Sequence, residues 1–185
     1  MGGTTATVLV TMNENKNVTA NFSQTCYTLT TAVSPANSGT ITPSSPPNCG
    51  STQYTAGTVV TLSAAPAGSG YQFSNWSGDA SGTIPTAPIT MNGNRSVTAN
   101  FSQVCYTVTT AVAPNNSGTV NRTPPPNCGV DRYMAGTTIT FAAIPSTGYQ
   151  FNNWSGSATG SASPVSLMVD GDKAVTANFS QACFT

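Results

Sequence analysis

The chain has 185 residues, of which only five are basic and five acidic, with no histidine and a formal net charge of zero. Five scattered cations cannot supply the Lys/Arg patch with which a nucleic-acid binder displaces counterions, nor the polybasic stretch that docks on an anionic membrane. Lack of histidine removes Ser-His-Asp and Cys-His arrangements, and a near-neutral surface of Thr, Ser, Asn and Gly favours association over repulsion.

Taken in order, the chain opens with residues 1–24, which end in VTANFSQ and read as a hairpin carrying Met12, Val18 and Phe22. In CYTLTTAV, from Cys26, Tyr27, Leu29 and Val33 point one way and the threonines the other, the period-two pattern of a half-buried strand. A second strand begins at SGTI, around Ile41, and is followed by SPPNCG, a proline-stiffened loop unable to donate to a ladder. AGTVVTLSAAP places Val60, Leu62 and Ala64 on one face. In GYQFSNWSG, Tyr71 and Phe73 share a face, and Trp76 falls on the opposite one unless a β-bulge intervenes. ITMNGNRSVTANF then alternates Ile89 and Met91 with Val97, Ala99 and Phe101 across Asn92–Arg95, predicting a hairpin whose Asn-Gly supplies positive φ angles.

The pattern then starts again. Cys105, Cys128, Tyr133, Gly136 and Pro145 each lie 79 residues after Cys26, Cys49, Tyr54, Gly57 and Pro66. The offset falls to 78 at Tyr149, Phe151, Trp154 and Val175, because IPSTGYQF is one residue shorter than APAGSGYQF. Second-unit strands therefore carry Tyr106, Val108 and Val112, then Val120, then Ile139, Phe141 and Ala143. VTANFSQ occurs three times, ending at Gln24, Gln103 and Gln181. Fixed-period self-similarity marks a repeat array. The expected units are 25–103 and 104–182, preceded by the end of an earlier repeat (1–24) and followed by the start of a later one (183–185). Met1 aligns with Ala80 in mid-unit, so a segment of a longer array is expected. The 185 residues include no secretory leader pattern and no apolar run long enough to span a bilayer. No window shows a helical apolar stripe, and Gly and Pro punctuate the chain every ten residues or so. The fold class is therefore all-β: tandem small sandwiches or barrels without a substantial helix.

Closely spaced thiolate pairs of the C-x2-4-C kind, which build zinc sites, do not occur. The simpler reading pairs Cys26 with Cys49 and Cys105 with Cys128, one disulfide per unit, and leaves Cys183 unpaired or intermolecular. A repeat near 80 residues has a small core and gains from such a staple, and disulfides imply an oxidising compartment, at a cell surface or outside it.

As an ordered set, Y-x-AGT-x-[VI]-T, GY-x-F-x-x-WSG and ITM-x-x-[ND]-[KR]-x-VTANF resembles the divergent internalin B-repeat of bacterial surface proteins. That resemblance covers both units and the leading segment. It implies β-rich modules, some β-grasp-like, in a stalk, scaffold or adhesive role, with no enzymatic activity, no catalytic residues and no cofactor.

Several candidate sites remain. Asp79 faces Ser157 in the alignment and Asp131 faces Thr52, so the acids do not recur as a catalytic pair would. DGD at Asp170–Asp172, aligned with NGN (92–94), has the oxygen donors of a calcium loop but no distant bidentate Glu; a turn is the simpler reading. Lys16, Arg95 and Lys173 recur as solvated turn charges that discourage edge-to-edge pairing. Trp76 and Trp154, each in NWSG, are either core rings or sugar-stacking platforms, and the core reading is preferred because few other large side chains are present. N-x-[ST] sequons such as those at Asn21, Asn100 and Asn178 reflect composition. Expected partners are other copies, through end-to-end strand pairing, and alternatively glycans, with no nucleic acid and no membrane insertion.

Overall fold

A computed structural model describes residues 7–182, and among them there are fourteen strands and no helix. The first seven are β1 (Cys26–Ser34), β2 (Gly39–Pro43), β3 (Gln53–Thr55), β4 (Val59–Pro66), β5 (Tyr71–Gly78), β6 (Thr86–Thr90) and β7 (Arg95–Gln103). Their counterparts are β8 (Cys105–Ala113), β9 (Gly118–Thr123), β10 (Arg132–Met134), β11 (Thr138–Pro145), β12 (Tyr149–Gly156), β13 (Val165–Met168) and β14 (Lys173–Gln181). Each set builds one four-stranded sheet, ordered β3-β1-β7-β5 or β10-β8-β14-β12, and one three-stranded sheet, β2-β4-β6 or β9-β11-β13.

The alternation read from the sequence explains how the sheets meet. Val60 and Leu62 of β4, Ile89 of β6, and Val97, Ala99 and Phe101 of β7 are buried in one cluster, with Tyr27, Leu29 and Val33 of β1 packed against it. The second cluster repeats this arrangement, with Phe141 where the first has Leu62. Each unit is thus a two-sheet sandwich with its core between the sheets, the architecture expected of alternating strands.

Three features differ from what the sequence suggests. First, residues 86–103 are not a hairpin: β6 pairs with β4, whereas β7 pairs antiparallel with β5 and parallel with β1. The turn carries the chain from one sheet to the other, which a tight two-residue hairpin geometry would forbid, and neither Asn92 nor Gly93 adopts positive φ. Instead the Asn94 side chain accepts a hydrogen bond from the Thr28 amide at 2.9 Å, pinning the crossing to β1; Asp172 does the same for Thr107 at 2.8 Å.

Second, the leading segment forms no strand over residues 7–24, and Leu9 and Phe22 stand 98% and 94% exposed. Residue positions that β6 and β7 bury need β1, β4 and β5 beside them, and the segment has no such neighbours. Third, β3 and β10 went unforeseen, because three residues are too few to show a period. They matter: β3 pairs with the first residues of β1 and sets Tyr54 into the core at 3% exposure.

Candidate functional site

Two features could carry function: the NWSG stretch, which recurs in both units, and the junction between the units. In β5 the ladder slips between Phe73 and Asn75, a bulge that reverses the strand's parity from there on. Trp76 therefore joins the face of Phe73, with ring centroids 5.3 Å apart, and Phe73 meets Phe101 edge-on at 5.8 Å. The same slip between Phe151 and Asn153 turns Trp154 inward, 5.1 Å from Phe151 and 6.4 Å from Phe141. The rings are 2% and 1% exposed, and their indole N–H groups donate to the carbonyls of Ile84 and Ala162, each at 2.9 Å. A covered ring offers no face to a sugar, so the stacking platform is not present in this fold.

Polar neighbours of the Trp are equally committed. The Asn100 side chain donates to Ser77 Oγ at 2.9 Å, and Asn178 donates to Ser155 Oγ at 3.0 Å. Asn75 and Asn153 donate to the carbonyls of Trp76 and Trp154. The asparagines of two NFS sequons thus brace the bulge from the neighbouring strand. Gly78 and Gly156 close the stretch at φ +86° and +87°, where a Cβ would also run into the backbone of β7 or β14.

The acids take structural positions. Asp79 Oδ2 accepts from the Ser96 amide at 2.7 Å, and its other oxygen pairs with Arg95 at 2.9 Å. Its alignment partner Ser157 accepts from Ala174, the equivalent amide, at 3.0 Å. Sequence comparison between the repeats leaves an unmatched acid; the fold shows one backbone amide capped by two different side chains. The Ser96 amide first, and the Arg95 guanidinium second, hold the Asp79 carboxyl below its usual range. A depressed folded-state value means that the contribution is present above the ordinary carboxylate pKa of about 4 and is lost as pH falls below it. Melting curves should therefore show the stability gap between the parent and Asp79→Ser narrowing as pH drops from neutral to about 3. A gap independent of pH would exclude the charged cap.

The turn cations are not free solvated charges. Lys16 pairs with Glu14 and Lys173 with Asp170 within their turns, and Arg95 pairs with the Asn92 side chain of its turn and with Asp79 sixteen residues earlier. With Asp172 bound to the Thr107 amide and Asp170 to Lys173, the oxygens of DGD serve the crossing turn. Arg122, in the second unit only, joins Asp131 at 2.6 Å to the Val108 carbonyl at 2.8 Å.

Both inner cysteine pairs are disulfides: Cys26–Cys49 and Cys105–Cys128, with Cα separations of 6.1 and 6.2 Å. Each ties the proline loop to the start of β1 or β8. Asn48 and Asn127 fasten the same loop by accepting from the amides of Thr55 and Met134, and the Tyr54 and Tyr133 hydroxyls donate to Ser45 and Pro124 carbonyls. Cys183 lies outside the described residues.

Between β7 and β8 stands one residue, Val104. The Val104 amide donates to Gly70 of the first unit, and its carbonyl accepts from Ala135 of the second, both at 2.9 Å. Gln103 reaches the Met134 sulfur at 3.6 Å, and a Cβ on Gly70 would sit 3.1 Å from the Met134 methyl, so the surfaces touch. Each outer end repeats half of this joint: the Ala56 amide donates to Thr25, and the Ala182 amide to Gly148. The front of a unit thus carries the carbonyl half of this joint and the rear the amide half, so the two are complementary.

The family described as the divergent InlB B-repeat domain matches residues 29–105 and 108–183. This chain belongs to that family. Its two B-repeats are the two sandwiches, and the family motifs fall on β3–β4, on the bulged β5 and on β6–β7. Among curated proteins none matches the chain. Among solved structures, it is similar to the major pilin protein of Streptococcus pyogenes serotype GAS131465, at 8% identity and a TM-score of 0.41, over 85% of this chain and 97% of that one. A second structure of the major pilin from Streptococcus pyogenes matches at 10% identity and a TM-score of 0.31, over 86% and 98%. At these values neither likeness bears on the function of the B-repeats.

Proposed function

We propose that the B-repeats of this chain are non-enzymatic spacers of a bacterial extracellular or surface protein, with unit boundaries at Thr25 and Val104. The observation that carries this reading is the clamp on Val104, which hydrogen-bonds backward and forward and leaves no linker to flex. Two disulfides support an oxidising location, and each ties the proline loop of its repeat to the first strand. Self-association into a fibre through residues 7–24 is the finer form of the proposal, supported by their exposed apolar side chains and the absence of net charge. The rival reading, an adhesin module that stacks glycans on Trp76 and Trp154, is opposed by the burial of both rings.

Inserting Gly-Gly-Ser after Val104 tests the spacer. Fluorescence energy transfer between labels on the two units should give a narrow distance distribution in the parent and a broad one in the insertion variant, with each unit's melting temperature unchanged. A parent distribution as broad as the variant's would overturn it. Electron micrographs of the parent should show fibres; separate short particles alone would remove the assembly half of the proposal.

A further inference from the structure

The turn between β6 and β7 holds an Asn-Gly pair, Asn92–Gly93, in a setting that favours one particular reaction. Asn92 is exposed, and among the described residues no hydrogen bond holds the Gly93 amide. A Cβ built on Gly93 would meet nothing within 4 Å, so the space around that nitrogen is open. The Asn92 side-chain oxygen is hydrogen-bonded by the Arg95 guanidinium, which itself is fixed by Asp79. A cation placed there polarises the side-chain carbonyl and stabilises negative charge that develops on its oxygen.

We propose that Asn92 is a site of spontaneous deamidation, assisted by Arg95, that marks the first repeat and not the second. The deprotonated Gly93 amide nitrogen attacks Asn92 Cγ; the new N–C bond closes a succinimide as the side-chain nitrogen leaves as ammonia. Water then opens either carbonyl of the ring, giving aspartate or isoaspartate. No oxidant, reductant or cofactor is needed. The aspartate product places a second carboxylate beside Arg95, matching the local pairing of Asp170 with Lys173 at the equivalent turn. The isoaspartate product lengthens the backbone at the crossing that Asn94 pins to β1.

Other asparagines followed by a small residue are differently placed. Asn37 and Asn116 precede Ser38 and Ser117, which are fully buried and whose amides are bonded to the carbonyls of Pro35 and Pro114 at 3.2 Å. Their attacking nitrogen is engaged by that hydrogen bond, whereas the Gly93 nitrogen is not. In the second repeat the matching residue is Asp170, held as a carboxylate by Lys173, a poor electrophile with no ammonia to lose.

The test is to hold the intact chain in warm, mildly alkaline buffer and follow each asparagine peptide by mass spectrometry. The expected result is an amide-to-acid mass gain at the Asn92 peptide, with a succinimide intermediate, while Asn37 and Asn116 stay unchanged. Gly93→Ala, which the open space accommodates, should slow the conversion. Arg95→Gln should slow it roughly tenfold, the rate equivalent of about one charge-assisted hydrogen bond. Asn92 converting no faster than Asn37 and Asn116 would overturn the site, and a rate in Arg95→Gln equal to or above the parent's would overturn the assistance.

Discussion

Replacing Trp154 with alanine is expected to destabilise the second repeat by about 3–5 kcal/mol, the cost of emptying a large aromatic site in a packed core. Trp154 is 1% exposed and is flanked by Phe151 and Phe141, which would both face the cavity. A repeat of this size holds only about 4–12 kcal/mol in total, so the loss takes a large share of its stability. Trp76→Ala should act the same way on the first repeat, but less severely, because Leu62 stands where the second repeat has Phe141 and shapes a different wall. In a quasi-linear array the damage stays with the mutated unit. Calorimetry of Trp154→Ala should accordingly split the transition, with the first repeat melting near its parent temperature. A single transition at the parent temperature would show that the ring does not anchor the core.

Reduction of the two disulfides should lower both repeats together. Each bridge closes a loop of sequence separation 23, worth about 3 kcal/mol by the chain-entropy estimate. For a domain of this size that corresponds to a fall in melting temperature on the order of 15 °C. The proline loop would keep its asparagine and tyrosine hydrogen bonds, so the fold should persist at low temperature and the change should read as a shift. Exchanging Cys26 and Cys49 for alanine should move the first repeat alone. Alkylation of all four inner cysteines without prior reduction would overturn the assignment.

Comparing the residues with the fold shows where local pattern suffices. Period two at Val60 and Leu62, and at Val97, Ala99 and Phe101, placed these side chains on the buried faces. Spacing repeated twice located both units and both cysteine pairs. At Trp76 the sequence left two outcomes, because parity through GYQFSNWSG points outward and only the slip between Phe73 and Asn75 reverses it. Asp79 looked unmatched because its partner in function, Ser157, is a different residue type; the signal that could have found it was the shared position just after NWSG.

By itself the sequence determined which side of each strand is dry, how many times the unit recurs and where covalent staples fall, since these depend on residues near one another along the chain. Tertiary structure alone decided that β6 and β7 part into different sheets and that β7 lies parallel to β1. Alternation states only that a face must be covered. Which strand covers it depends on hydrogen-bond partners some 66 residues distant, such as Thr28 and Asn94, and on how both sheets close over one shared core.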